Sequence, residues 1–315
     1  MTLKQKILTI DLLGAGFLIC AIICSLPALQ WEGTKCLWKN SKVWGCILGF
    51  ALLIIIFIAL QFRRGDRATI PPRIFSQGTV LWSCLFSTFL SMGFYTHIYY
   101  LPFYFQAVKG KTVEGSGIRT IPYLASMIVA TAVVGTTVQQ VGIYKPFMVL
   151  GGVIFTIGAG MLYTLRVNPY AGSWIGYQLL SGFGLGCGVQ LPFIAVSVVL
   201  KKKDLAIGNA LAIFFNSLGG AISISIAQNI FSNGLGSNLP EYAPDVSVSG
   251  VIGAGATHLR QYVKPEDLAG VIRAYMQALS QSYAMLIAVG GIATICAYFV
   301  EWKSIKGKKV TAQAA

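Results

Sequence analysis

The chain has 315 residues, 55% hydrophobic and 11% charged, with a mean hydropathy of +0.69. Soluble domains carry about 25% charged residues, so charge this sparse excludes an ordinary water-solvated globule and points to lipid as the solvent. The net charge of +14 sits in short Lys/Arg clusters between apolar runs, the pattern of a multi-pass membrane protein rather than a nucleic-acid binder.

Eight apolar runs are long enough to cross a bilayer as helices, for which about 20 residues suffice. They span 12–29, 43–61, 80–105, 118–139, 147–165, 174–200, 206–231 and 283–300. Asp11 opens the first run, and no small-residue cleavage site follows, so the N-terminus does not read as a signal peptide. Eight crossings put both termini on one side. The segments on that side hold twice as many Lys and Arg as the short loops opposite, so both termini are expected in the cytoplasm. The seven cysteines form no CxxC pair and mostly lie in apolar runs, as packing residues do. Cys36 and Cys46 flank one short loop, the one spacing open to a disulfide.

The first two runs form a hairpin (1–62). A cytoplasmic linker (63–78) follows, in which Pro71 and Pro72 stop any helix. Six runs then fill 79–302 and read as three plus three, with a cytoplasmic tail at 303–315. The third and sixth runs are both long, dotted with polar residues and proline-bearing, at Pro102 and Pro192. Matching interrupted segments in two halves point to a transporter's binding region. The one long connection, 232–280, starts with the turn-formers SNGLGSNLPEY and is read as an extracytoplasmic cap. Lys264-Pro265-Glu266-Asp267 in it looks like the start of a helix running into the last span.

The third run carries His97 near its middle, with Tyr100 and Tyr104 on the same helix face and Tyr95, Tyr99 and Gln106 on a second stripe. Two readings stand: a buried histidine hydrogen-bonded to a neighbouring tyrosine, or a cavity residue that binds substrate or exchanges a proton. The sixth run contains Gly182/Gly186 and Gly184/Gly188, small-xxx-small pairs that let helices approach closely. Gln190 beyond them needs a partner helix or a cavity. In the seventh run Asn209, Asn216 and Ser223 recur every seven residues on one face, which suits interhelical hydrogen bonds or ligand contact equally. No nucleotide fingerprint, metal spacing or nucleophile–base arrangement occurs, so no enzyme and no cofactor are expected.

The stretches IYYLPFYFQAVKG, GCGVQLPFIAV, GNALAIFFNSLGGAISISIAQNIF and AGATHLRQY resemble the second half of major facilitator superfamily (MFS) transporters. The branch is that of the fungal drug:proton antiporters with fourteen spans. The resemblance implies an all-α membrane protein of eight transmembrane helices, a hairpin plus one six-helix MFS bundle of 3+3 inverted repeats. It implies a plasma-membrane efflux protein moving small amphipathic compounds, such as drugs or fungal toxins, in exchange for protons. His97, Tyr95, Tyr99, Gln190 and Asn216 would then be substrate-binding. The family's N-terminal bundle, with its antiporter signature, has no counterpart here. The expectation is therefore a clipped chain, or a half that works with a second bundle or as a homodimer. The alternative is a non-transporting fragment that only packs against partner helices in the bilayer.

Overall fold

The computed structural model describes residues 11–31, 41–168 and 170–305. The ends of the chain and Cys36, with its proposed pairing, lie outside them. The described residues are helical throughout apart from turns, caps and one isolated bridge. In chain order the helices are α1 (Leu12–Trp31), α2 (Ser41–Arg64), a short α3 (Pro72–Phe75), α4 (Gly78–Phe103), α5 (Val113–Val141) and α6 (Lys145–Tyr163). Then come α7 (Ala171–Val189), α8 (Leu191–Val199), α9 (Leu205–Tyr242), α10 (Val248–Tyr262) and α11 (Leu268–Phe299). Seven spans among the described residues are long and apolar enough to cross a membrane, α7 and α8 counting as one; the first apolar stretch, Leu12–Leu26, is shorter.

The two proline-bearing runs break where the prolines act. Pro102 lies inside α4, which ends in a turn of π-helix at Tyr104–Val108. Pro192 begins α8, and the chain turns between α7 and α8 at Gln190, because a proline removes one intrahelical donor and crowds the preceding turn. The stretch SNGLGSNLPEY, expected to turn, instead extends α9 as helix to Tyr242. Burial overrides local propensity there. Leu235 and Leu239 are fully buried, and Gly234 sits so close to Ala278 and Gln281 of α11 that a Cβ would collide. α11 runs from Leu268 to Phe299 with Asp267 at its N-cap, so the helix start expected at Lys264–Asp267 does lead into the last span.

Packing follows the small residues. Gly182 and Gly186 face α5, where a Cβ would run into the carbonyl oxygens of Tyr123 and Met127. Gly184 faces the backbone of Phe155 in α6, and Gly188 faces Phe86 and Leu90 of α4. These contacts seat α7 against the backbones of α5 and α6 and against side chains of α4. α7 packs mainly on α5 and α6, whereas α4 packs mainly on α9 and α11; α6 joins the two groups through α11.

Charge gathers at one end of the molecule. Asp11, 5% exposed, accepts hydrogen bonds from the amides of Gly14 (2.8 Å) and Thr69 (3.1 Å) and from Gln61 Nε2 (3.2 Å), and pairs with Arg64 at 2.9 Å. Gln61 also accepts from the Ile70 amide. One carboxylate thus ties α1, α2 and the linker together. Arg73 of α3 bridges Asp66 and Asp204, the residue before α9. At the opposite end α10 clasps the π-turn: Thr257 donates to Gln106 Oε1 (2.8 Å), and Arg260 donates to the Val108 carbonyl (2.8 Å).

Two outcomes follow from this packing. Gly186→Val should lower thermal stability of the detergent-solubilised protein by about 1–3 kcal/mol, the usual cost of overpacking, whereas Gly176→Ala, with open space around it, should not. Burial pushes the Asp11 carboxyl up, but the hydrogen bonds from Gly14, Thr69 and Gln61 outweigh it and hold the group below the usual value. Its stabilisation is therefore full above the unfolded carboxylate pKa of about 4 and lost as pH falls below it. Asp11→Asn should lower the melting temperature at pH 7 and make it less sensitive to acid, as a melting series from pH 7 to 3 would read.

Candidate functional site

Successive residues of an α-helix advance by 100°, so Tyr95 and Tyr99 share one face of α4 and His97 lies nearly opposite. The structure follows that geometry. On the first face, Ser83, Ser87, Ser91, Tyr95 and Tyr99 recur every four residues. Thr88 Oγ1 donates to the Phe215 carbonyl (3.1 Å) and Ser91 Oγ to the Asn216 carbonyl (2.7 Å). Asn216 Nδ2 donates to Ser87 Oγ (3.3 Å), Ser223 Oγ donates to the Met92 carbonyl (2.7 Å), and the Thr96 and Ser223 hydroxyls are paired. A row of hydroxyls thus joins α4 to α9, with Gly219 and Gly220 of α9 giving room for Thr88 and the Tyr95 ring.

Beside that row lies a cleft of about 70 Å³, lined by Ser87, Ser91, Phe94, Val189, Pro192 and Asn216 among others. Tyr95 is half-buried with its ring edge-on to Phe94 at 5.2 Å between centroids. Tyr99 is 40% exposed one turn further along, edge-on to Tyr100. Gln190 is exposed at the turn between α7 and α8, next to the cleft residue Val189. Of the five expected site residues, Asn216 lines the cleft, while Tyr95 and Gln190 each follow a lining residue, Phe94 and Val189, in the chain.

His97 does not join them. It is fully buried, ringed by Tyr123 of α5, Phe155 of α6 and Tyr283 of α11 at centroid distances of 5.4, 5.7 and 5.9 Å. Its Nδ1 lies 3.4 Å from Ser181 Oγ of α7. The Nε2 of His97, the hydroxyls of Tyr123 and Tyr283, and both polar atoms of the Gln178 amide are buried without a protein partner. Gln178 lies one turn before Ser181 on α7, so these groups form one polar cluster inside the bundle. Tyr123, Gln178, Ser181 and Tyr283 were not singled out from the sequence. Gln178 carried the same signal as Gln190, an amide within an apolar run, and the serine repeat of α4 was readable from its spacing. Of the asparagine–serine stripe on α9, Asn216 and Ser223 are taken up by α4, while Asn209 Oδ1 is buried unpaired. No group of His, Cys, Asp or Glu suited to a metal occurs among the described residues.

Membrane-length helices broken by proline and packed through glycines form an MFS-like fold. A crystal structure of a bacterial homologue of the human lysosomal transporter Spinster, inward-facing and unoccupied, superposes with a TM-score of 0.56. It covers 92% of this chain and 66% of its own at 14% identity. By sequence the chain is homologous to fungal MFS-type efflux pumps and transporters. It is 39% identical over 314 residues to the MFS-type efflux pump MFS1 of Arthroderma benhamiae, covering 100% of this chain and 59% of the relative. It is 38% identical over 309 residues to the MFS-type transporter astH of Aspergillus oryzae (98% and 55%). It is 37% identical over 309 residues to the efflux pump roqT of Penicillium rubens (98% and 57%). The chain therefore spans just over half the length of these curated relatives. No protein-family model matches it.

A buried hydroxyl with no partner costs about 1–3 kcal/mol of desolvation. Tyr123→Phe and Tyr283→Phe should accordingly leave stability unchanged or raise it, by up to about 1 kcal/mol each, whereas Ser223→Ala, which loses paired bonds, should lower it. Melting temperatures of the purified variants would check the sign.

Proposed function

We propose that the chain forms one bundle and the inter-bundle hairpin of a fourteen-span drug:proton antiporter, exporting small amphipathic compounds such as drugs or fungal toxins. In this reading all eight helices cross the plasma membrane, both termini are cytoplasmic, 1–62 is the hairpin, 63–78 the linker, and 79–302 the bundle. The observation that carries it is the polar stripe of α4 at the cleft lined by Ser87, Ser91 and Asn216, at membrane depth in a lipid-length bundle. Polar groups at membrane depth are tolerated where they meet protein or a watery cavity. The cleft there is about 70 Å³, against roughly 300–1,000 Å³ for drug-sized sites. It is thus one wall of a cavity whose other wall is a second bundle.

Support for 3+3 inverted repeats comes from how the triples exchange partners. α4, first of its triple, packs on α9 and α11 of the other; α7, first of the second, packs on α5 and α6 of the first. Tyr95, Tyr99, Gln190 and Asn216 contact substrate in this reading. His97 stands behind that wall and serves the proton, being the one imidazole deep in a span, with an unpartnered Nε2.

Alternating access needs two bundles around a midplane site, so the test uses both contexts. Joined to the remaining portion of a full-length relative, the chain should give proton-gradient-dependent efflux from vesicles. Asn216→Ala and Gln190→Ala should lower it about tenfold or more at unchanged membrane abundance, each removing a polar contact of about 1–3 kcal/mol. His97→Gln should flatten its pH dependence. Absence of flux above empty vesicles even in the joined form would favour a protein that only packs against partner helices.

A further inference from the structure

The linker's two prolines, expected only to stop a helix, begin one. Pro72 is the first residue of α3 with Pro71 at its N-cap, a position where the missing N–H costs nothing. The single turn that follows is docked rather than loose. Ile74 is 1% exposed and clusters with Val80 and Cys84 of α4, Val196 of α8 and Leu211 of α9, apart from the main core. Phe75 is half-buried against the same cluster. Its ring stacks on that of Phe215 in α9, with 5.5 Å between centroids and 11° between planes.

α4, α8 and α9 each contribute to the lining of the cleft. On α4 and α8 the linker's cluster lies about one helical turn from it, Cys84 preceding Ser87 and Val196 following Pro192. On α9 the approach is closest, because Phe215 immediately precedes the lining residue Asn216. α9 is held there by two different partners. From α4, Thr88 donates to the Phe215 carbonyl and Ser91 to the Asn216 carbonyl, while Asn216 Nδ2 donates to Ser87 Oγ. From the linker, Phe75 holds the Phe215 side chain. Hydrogen bonds along one seam stop a helix sliding but leave it free to roll about that seam. A ring packed on a neighbouring side chain removes the roll.

We propose, resting on the reading of Asn216 as a substrate contact, that Phe75 of the linker is a positioning residue for the cleft. Its ring, stacked on Phe215, sets the roll of α9 and so the direction of the Asn216 amide. Phe75 does not line the cleft itself; it acts through Phe215. Arg73, in the same turn, forks onto Asp204 just before α9, so the linker meets α9 at its start and again beside Asn216.

The test is a double-mutant cycle on the chain joined to the remaining portion of a full-length relative, with efflux divided by membrane abundance. Phe75→Ala should lower flux about three- to tenfold, the scale of one aromatic pair. Phe75→Tyr, which keeps the ring, should retain about half the flux or more. In the Asn216→Ala background, Phe75→Ala should lower flux by less than about twofold further, because residues acting through one contact do not add. A generally weakened bundle would instead multiply the two losses. Should Phe75→Ala not reach the membrane, Phe75→Leu keeps the buried apolar surface, removes the stack, and should show the same loss and the same non-additivity. Losses that multiply in the double variant, or undiminished flux without the ring, would overturn the positioning role while leaving Asn216 a substrate contact. Undiminished flux in Asn216→Ala would remove that contact, and the role of Phe75 with it.

Discussion

The bilayer interior offers no water to a polar group, so every hydroxyl and amide in a spanning helix must find its partner in the protein. That constraint organises α4. Thr88, Ser91 and Thr96 meet it by bonding to the backbone or side chains of α9, and the same residues fix the register of the two helices. The hydroxyls therefore both satisfy themselves and hold α4 beside α9. His97, Gln178, Tyr123 and Tyr283 do not meet the constraint in this arrangement. Four helices converge on that cluster, so any shift of α7 or α11 relative to α4 changes which of those groups can pair. The middle of the α4–α9 seam is thus satisfied, while the His97 centre is not and has a reason to rearrange.

Glycine supplies the complementary half of the architecture. Without a hydrophobic force between helices in lipid, association rests on close packing. α7 achieves it with glycines turned to three different neighbours: α5 through Gly182 and Gly186, α6 through Gly184, and α4 through Gly188. Gln190 and Pro192 follow directly, so this close-packed stretch runs into the break between α7 and α8. The exposed position of Gln190 comes from that break, because α8 starts afresh after it and leaves the amide at the corner.

Much of this was legible in the sequence, and the failures have identifiable causes. Apolar run length located seven of the eight expected spans among the described residues, the first stretch, Leu12–Leu26, being shorter, because hydropathy at membrane scale is nearly independent of tertiary detail. It failed at SNGLGSNLPEY, where local propensity says turn and burial of Leu235 and Leu239 against α11 says helix. Periodicity already set His97 on a different stripe from Tyr95 and Tyr99, two residues being 200° around a helix, and the structure buries it among Tyr123, Phe155 and Tyr283. The central cluster as a whole was hidden. Tyr123, Ser181 and Tyr283 come from three different helices, and nothing in their local sequence says they meet around one imidazole.

The charged end raises a question of mechanics rather than of stability. Asp66, Arg73 and Asp204 form a chain that links the hairpin's linker to the start of α9. Arg73 and Asp66 are exposed, and ion pairs of that kind contribute about 0–1 kcal/mol, too little to hold a bundle together. Arg73 nevertheless reaches Asp204 with two nitrogens, at 3.3 and 3.0 Å, a forked geometry that fixes direction as well as distance. Its role is then positional. α9 carries Asn216 and packs along α4 over most of its length, so a fork at its first turn sets where that wall begins. The Asp11 network sets the hairpin from the other side of the same linker. A sliding motion of α9 must either carry the linker with it or break a weak, directional pair, and only the second leaves the hairpin in place.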